Sequence, residues 1–238
     1  MKDVTAAISN VVHLLDAHNF LTTTRKEKML CLYGKPGLGK SQGCDLLSRQ
    51  ERALYFQCPP NPTPYAFVRA LAIKINAPYG RSLSGQLQKL VEFFQSARRS
   101  LMIDEAGRMF WRHRDKLAEI CRYIHDEANI PVILVGIEDL PMELSRYPQL
   151  ADRIHFLEFQ PWTKEDVALV AKTCCEVRLN KDLLQAIYKF TGGNGRLVTR
   201  CFEHIERHGQ ALGLESIGVK EWGNQPFLPA YSLRRKLA

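Results

Sequence analysis

The sequence predicts an α/β fold, in which helices cover both faces of a parallel β-sheet and a smaller helical portion follows. Short apolar runs alternate with stretches of helical periodicity as far as residue 159, which is typical of successive β–α units. After Pro161 only the helical periodicity continues. These two observations divide the 238-residue chain into an α/β domain (1–160), a helical subdomain (161–222) and a tail (223–238).

Five apolar runs have the length and composition of buried strands. They occupy residues 28–33, 53–57, 100–105, 130–136 and 153–159. The segment 58–64 contains four prolines, which remove backbone donors, so this segment is excluded from a helix interior and from a central strand.

Helices are predicted where apolar side chains recur at helical spacing. The predicted helices cover residues 4–19, a segment beginning near Lys40, 64–75, 82–97 and 114–128, and then 163–178, 181–190 and 195–212. Thr63 is the predicted N-cap of the third helix, and Ser82 or Ser84 is that of the fourth. The tail contains two prolines and the basic run 234–236 without an acid, which predicts a mobile basic tail.

The composition limits the class of protein. Hydrophobic residues make up 45% and charged residues 24% of the chain, which excludes a wholly disordered protein. Lys and Arg outnumber Asp and Glu by 33 to 25, and the net charge of +8 favours an acidic partner such as nucleic acid. No apolar run of about 18 residues and no secretion signal is evident, so we expect a cytoplasmic protein without a membrane span. The seven cysteines lack zinc-ligand spacing and are expected to be reduced.

A glycine-rich motif lies between the first predicted strand and the second predicted helix. Residues 34–41, GKPGLGKS, match GxxxxGK[ST], whose glycines let successive backbone N–H groups curl around a phosphate. Lys40 is expected to reach the β- and γ-phosphates of ATP, and the Ser41 hydroxyl is expected to ligate Mg²⁺. The residues expected to contact the nucleotide are Gly34, Pro36, Gly37, Leu38, Gly39, Lys40, Ser41 and Gln42.

Two acids end the third predicted strand. In a parallel sheet the carboxyl ends of the strands form the edge at which ligands bind. Asp104 is therefore expected to hold Mg²⁺, directly or through water, and Glu105 to polarise the attacking water. Together with the glycine-rich loop, these acids predict an ATPase.

These elements resemble the AAA+ ATPases of the group that includes TnsC, Mu-phage transposition protein B and ExeA-like proteins, over roughly residues 10–215. The resemblance implies a P-loop core with strand order 5-1-4-3-2, a C-terminal helical lid and a homo-oligomer, either a ring or a filament. It also implies that Arg196, after the run 191–195, contacts the γ-phosphate; a surface arginine after a glycine-rich cap is the alternative. Arg153, or else Arg146, takes the place of the arginine finger that reaches a neighbouring subunit.

One position departs from this family. A polar residue that helps to position the water usually follows the fourth strand, whereas Ile137 and Glu138 follow it here. Glu138 either takes over that role or caps a helix. We therefore expect ATP hydrolysis to be slow and to be stimulated by DNA or by a partner.

A basic segment surrounds the two acids. Residues 98–116 contain six basic and three acidic side chains, with aromatic residues interleaved. The candidate contacts to DNA phosphates are Arg98, Arg99, Arg108, Arg112, Arg114 and Lys116. The alternative is a solvated loop in which Phe110 and Trp111 pack inward.

The sequence thus favours an ATP-dependent protein that binds duplex DNA without reading its sequence, assembles on it and regulates transposition together with a transposase. Two alternatives remain open. One is an ATP-gated protein-interaction module of the ExeA-like secretion type. The other is a replication helicase loader or initiator.

Overall fold

The structure is a computed structural model that describes residues 5–24, 29–50, 52–77, 82–110 and 114–228, without the side chains of residues 114, 149 and 150. The chain forms two compact units. The sheet unit comprises His13–Pro36 and Lys40–Phe159, and the C-terminal unit comprises the residues before His13, Gly37–Gly39 and the residues from Gln160 onward. Among the described residues, no helix is both long and apolar enough to span a bilayer.

The sheet unit is built on a five-stranded sheet in which every pair of neighbouring strands is parallel. Its strands are β1 (Met29–Tyr33), β2 (Ala53–Gln57), β3 (Ser100–Asp104), β4 (Val132–Val135) and β5 (Ile154–Glu158). The order β2-β3-β4-β1-β5 confirms the predicted order 5-1-4-3-2, read from the other edge. β3 and β4 are buried along their whole length, as expected of inner parallel strands covered on both faces.

Five of the first seven helices lie where helices were predicted, and the two short helices between β4 and β5 were not predicted. The seven helices are α1 (Ser9–Thr23), α2 (Lys40–Arg49), α3 (Pro64–Lys74), α4 (Leu83–Ala97), α5 (Arg114–Ala128), α6 (Leu140–Ser145) and α7 (Pro148–Ala151). The Thr63 hydroxyl accepts from the Ala66 amide at 3.2 Å, and the Ser82 hydroxyl accepts from the Gly85 amide at 3.1 Å. Ser82, rather than Ser84, is therefore the N-cap of α4. The core between helices and sheet includes Phe67, Phe94 and Leu101, all fully buried.

The C-terminal unit confirms the predicted helical portion. Its elements are α8 (Lys164–Cys174), β6 (Arg178–Leu179), α9 (Lys181–Thr191), α10 (Gly195–Ala211), β7 (Ser216–Ile217) and α11 (Val219–Trp222). β6 and β7 form a short parallel ladder that the sequence did not predict, because a two-residue strand has no readable period. A reciprocal cap of Thr163 and Asp166 starts α8, and Asp166 also accepts 2.9 Å hydrogen bonds from the Ser9 amide and hydroxyl.

Some helix boundaries differ from the prediction by several residues. The first helix begins at Ser9 rather than residue 4, after a 3₁₀ turn over Thr5–Ala7, and α8 ends at Cys174 rather than at 178. In the described part of the predicted tail, residues 223–228, the Phe227 ring stacks on Trp222 at 5.9 Å and Leu228 is buried. The basic run 234–236 lies outside the described residues.

All seven cysteines are free thiols, and five of them are buried. Burial raises the pKa of the Cys31 and Cys58 thiols to about 12, so these side chains stay protonated. They behave as small apolar groups, as the sequence predicted.

Candidate nucleotide-binding site

The glycine-rich loop follows β1 directly, and its backbone admits only glycine at several positions. Gly34, Gly37 and Gly39 have φ values of +142°, +87° and +95°. A Cβ atom on Gly34 would lie 2.6 Å from the carbonyl oxygen of Phe159, and one on Gly37 would lie 2.6 Å from Oδ1 of Asn194. The loop therefore combines left-handed backbone with close contacts that exclude a side chain.

Lys40, the first residue of α2, folds back over this loop. Its ammonium group donates to the carbonyl oxygens of Gly34 at 2.6 Å and Lys35 at 2.9 Å. Burial lowers the pKa of Lys40, and the charges of Asp104 and Glu138 act in the opposite direction. A partly buried cation is thus held inside the loop, where an anionic group is its natural partner.

Asp104 forms the centre of a hydrogen-bond cluster at the carboxyl end of β3. Its Oδ2 atom accepts from the Ser41 hydroxyl at 3.0 Å and from the Tyr55 hydroxyl at 2.6 Å, and its Oδ1 atom accepts from the Glu105 amide at 2.8 Å. Asp104 is only 8% exposed, so its carboxylate is held in a largely buried position. Ser41 and Asp104 place two oxygen ligands side by side, and oxygen ligands of this kind fit Mg²⁺.

Tyr55 was not among the residues that the sequence singled out. It lies on β2, two residues before Gln57, which pairs with Asp104 across the β2–β3 ladder. Burial, and then the hydrogen bond to Asp104, raises the pKa of the Tyr55 hydroxyl, so it remains a proton donor at neutral pH. Only the register of β2 against β3 brings this residue to the site, and the sequence alone does not give that register.

Glu105, the predicted base, is the first residue beyond β3. It is exposed and has a φ of +55°, in the left-handed region that a residue with a long side chain seldom adopts. A 3₁₀ turn over Ala106–Phe110 follows it. β3 ends at Asp104, so the two acids are neighbours at the carboxyl end of the strand but differ in backbone conformation.

The residues after β4 separate the two roles considered for Glu138. α6 begins at Leu140 with Asp139 as its N-cap, so Glu138 is not the cap. Its carboxylate is exposed, and its charge acts on Lys40. Ile137 beside it is also exposed. Capping is therefore excluded, and the role of Glu138 in positioning the water stays a prediction.

In the C-terminal unit, the tip of the loop is bonded to the start of α10. The Arg196 amide donates to the Gly37 carbonyl at 2.9 Å, and the Trp162 indole N–H donates to the Leu38 carbonyl at 3.2 Å. Asn194 caps α10 by accepting from the Leu197 amide. The backbone of Arg196 therefore contacts the tip of the loop. Of the remaining loop candidates, Pro36 and Gln42 are exposed.

The two candidates for the arginine finger both form ion pairs within the chain. Arg153 contacts Asp126 at 2.7 Å, and Arg146 contacts Glu143 at 2.7 Å. Their side chains are 41% and 49% exposed, so both remain accessible at the surface of this chain. Their predicted role in a neighbouring subunit stays a prediction.

Among the described residues, the predicted DNA contacts lie at both ends of β3 rather than together on one surface. Arg98 and Arg99 precede β3, whereas Arg108 follows it, and a five-residue strand of about 16 Å separates them. Arg99 donates to the Ala53 carbonyl at 3.0 Å and Arg108 to the Cys58 carbonyl at 2.7 Å. Lys116 is exposed on α5, whose first residue is Arg114.

Two further residues bear on the alternative of a solvated loop. Phe110 is buried and its ring packs against Tyr147 at 5.7 Å, as that alternative expected. Arg112 and Trp111 lie outside the described residues, as does the side chain of Arg114.

Comparisons with known proteins identify the family. Residues 23–142, half of the chain, match the family model described as an AAA domain. A protein of Staphylococcus aureus described as a potential ATP-binding protein is 31% identical over 130 residues. The match covers 50% of this chain and 46% of that protein, so the chain spans about half the length of this curated relative.

Two solved structures share the fold. Cdc6p from Pyrobaculum aerophilum superposes with a TM-score of 0.63 at 20% identity, covering 90% of this chain and 64% of that one. The Orc1 protein of Aeropyrum pernix, solved in complex with DNA, superposes with a TM-score of 0.62 at 20% identity, covering 96% of this chain and 64% of that one. The matched family, the strand order and the glycine-rich loop lead to one conclusion: this chain belongs to the AAA domain family and has the core of an AAA+ ATPase.

Proposed function

We propose that the protein hydrolyses ATP with Mg²⁺, that its ATP-bound form assembles as a homo-oligomer on duplex DNA without reading the sequence, and that it regulates transposition. The observation that carries the ATPase part is the cluster at the loop. Lys40 lies inside the glycine-rich turn, and Ser41, next to it, is hydrogen-bonded to Asp104 at 3.0 Å. A phosphate-binding cation and a pair of Mg²⁺ ligands are therefore adjacent.

In the proposed reaction each residue has a distinct task. Lys40 offers its charge to the β- and γ-phosphates, while Ser41 and Asp104 offer oxygen ligands to Mg²⁺. When bound, Mg²⁺ supplies positive charge that offsets the charge on the phosphates. Glu105 orients a water molecule and accepts its proton, and Glu138 contributes its negative charge nearby. The absence of a neutral polar residue at 137 and 138 supports slow basal hydrolysis.

Two arginine roles complete the proposal. The family resemblance assigns the γ-phosphate contact to Arg196, which belongs to the same unit as the loop tip Gly37–Gly39. It assigns the contact to a neighbouring subunit's ATP to Arg153, with Arg146 as the alternative. To act in this way, either arginine must exchange its internal carboxylate partner for the phosphate of another subunit.

The DNA part rests on charge and on likeness. The net charge of +8 favours a polyanionic partner, and Orc1 of Aeropyrum pernix, which shares the fold, was solved in complex with DNA. The candidate phosphate contacts form two groups. One group follows β3 in the chain and consists of Arg108, Arg112, Arg114 and Lys116. The other group precedes β3 and consists of Arg98 and Arg99. The role in transposition, with a transposase as partner, rests on the resemblance to TnsC and Mu-phage transposition protein B.

Duplex-DNA binding by fluorescence anisotropy tests this function. A random-sequence duplex is titrated with protein in ATP, in ADP and without nucleotide. We expect salt-sensitive binding in ATP only. Lys40→Ala should abolish the ATP-dependent binding, whereas Lys35→Ala, which removes an exposed charge from the same loop, should preserve it. Assembly of Lys40→Ala on DNA with ATP, or no DNA binding in any state, would contradict the proposal.

The second candidate is a replication initiator or helicase loader, and the fold shared with Cdc6p and Orc1 favours it. The two candidates differ in their protein partner. Stimulation of ATP hydrolysis by a transposase supports the first, and ATP-dependent delivery of a replicative helicase to DNA supports the second. A protein partner that binds only with ATP, with no effect of duplex DNA, would instead favour the secretion-type module.

A further inference from the structure

We propose that Tyr55 is a positioning residue of the nucleotide site: its hydroxyl group fixes the Asp104 carboxylate so that Asp104 orients the Ser41 hydroxyl toward Mg²⁺. The inference rests on the proposed ATPase function and names a determinant of its Mg²⁺ affinity. It assigns a role to β2, a strand at the edge of the sheet that the sequence motifs do not reach.

The three donors to Asp104 are of different kinds. The Glu105 amide fixes Oδ1 at 2.8 Å and belongs to the backbone, so it cannot be altered by a side-chain change. The two hydroxyl donors, from Ser41 and Tyr55, both converge on Oδ2. The bond from Tyr55 is the shorter, at 2.6 Å against 3.0 Å, so Tyr55 is the side chain that holds the position of Oδ2 most closely.

The direction of the Ser41 proton connects this cluster to the metal. A hydroxyl group has one proton and two lone pairs. Because the Ser41 proton points to Asp104 Oδ2, its lone pairs are left for a cation. A carboxylate that rotates away from Ser41 would release that proton, and the lone pairs would lose their fixed direction. Groups that orient a metal ligand in this way commonly change metal affinity by about 10- to 100-fold when they are removed.

Tyr55 is suited to this task by its surroundings. Tyr55 lies on the strand next to β3, and its hydroxyl group reaches Asp104 Oδ2 at 2.6 Å across that strand pair. Phenylalanine would retain the ring packing and remove only this donor.

The test compares Tyr55→Phe with Tyr33→Phe, a matched control at the end of β1. For each protein, the affinity for a fluorescent ATP analogue is measured in EDTA and across a Mg²⁺ titration. Binding of Mn²⁺ to the nucleotide complex is followed by electron paramagnetic resonance. We expect Tyr55→Phe to raise the half-saturating Mg²⁺ and Mn²⁺ concentrations about 10- to 100-fold, with the metal-free nucleotide affinity unchanged. Tyr33→Phe should resemble the wild type.

A double-substitution cycle adds a second criterion. If Tyr55 acts through Asp104, then adding Tyr55→Phe to Asp104→Asn should cause no further loss of metal affinity. Equal metal affinities of Tyr55→Phe and wild type, or additive losses in the double variant, would overturn the assignment. A wild-type protein that binds no nucleotide would instead refute the proposed ATPase function itself. Thermal unfolding of each variant verifies that it is folded at the temperature of the metal titrations.

Discussion

Acidification is predicted to destabilise this protein through one buried histidine, His18 in α1. Its Nε2 atom is hydrogen-bonded to the Ser100 hydroxyl at 2.9 Å, and the side chain is 1% exposed. Within the described residues, its Nδ1 atom is buried without a hydrogen-bond partner. Burial, with the nearby charge of Arg52 adding to it, lowers the pKa of His18 from 6.5 to about 4. The ring is therefore neutral in the folded protein.

The sign and size of the effect follow from these two pKa values. Between about pH 6.5 and pH 4 the unfolded chain binds a proton at His18 that the folded chain does not, so acid favours unfolding in this window. The stabilisation is complete above pH 6.5 and is lost as the pH falls toward 4. A difference of about 2.5 pKa units corresponds to about 3 kcal/mol of unfolding free energy.

Urea denaturation of three proteins between pH 7.5 and pH 4 measures this contribution. The wild type should lose about 3 kcal/mol more over this range than His18→Gln, which cannot be protonated. His13→Gln, at an exposed position of the same helix, is the control and should follow the wild type. If His18→Gln and the wild type lose stability in parallel, the buried neutral state of His18 is refuted.

Three further substitutions test other parts of the structure. Gly195→Ala should lower the unfolding free energy by about 1–3 kcal/mol in urea, because the added Cβ would lie 2.5 Å from the Trp162 ring. Gly107→Ala is the control: the added Cβ would meet no neighbouring atom within 4 Å, so the unfolding free energy should change by less than about 0.5 kcal/mol. Thr163→Ala should cost about 1 kcal/mol in the same assay by removing the cap of α8. Glu105→Gln should bind ATP as tightly as the wild type but hydrolyse it about 10²- to 10⁴-fold more slowly in a phosphate-release assay. Unchanged hydrolysis would exclude Glu105 as the base.

The parts of the fold that the sequence predicted are those in which local pattern and tertiary structure agree. β3 and β4 are buried on both faces, so each of them is recognisable in the sequence as a continuous apolar run. The glycine-rich loop was equally readable, because positive φ values at Gly37 and Gly39 require glycine. A two-residue strand such as β6 leaves no recognisable pattern in the sequence, because it forms only by pairing with β7.

The candidate site shows the same division. Lys40 and Ser41 were found because their roles depend on a contiguous loop. Tyr55 was missed because it reaches Asp104 only through the pairing of β2 with β3. Conversely, Arg99 and Arg108 are close in sequence, but β3 lies between them, so they are found near opposite ends of this strand. Proximity along the chain was a poor guide to proximity in space wherever a strand intervened.

The left-handed backbone of Glu105 has a consequence for how this protein could be altered by selection. Three of the five described non-glycine residues with positive φ are asparagines, which tolerate that region, whereas Glu105 does not share this tolerance. Strain of about 1 kcal/mol is thus stored at the position of the proposed base. A directed-evolution experiment that rewarded heat resistance alone would favour glycine or asparagine at 105 and would drift toward an inert, more robust protein. Only a selection that also demanded turnover would retain the glutamate, so stability and activity are set against each other at this one residue.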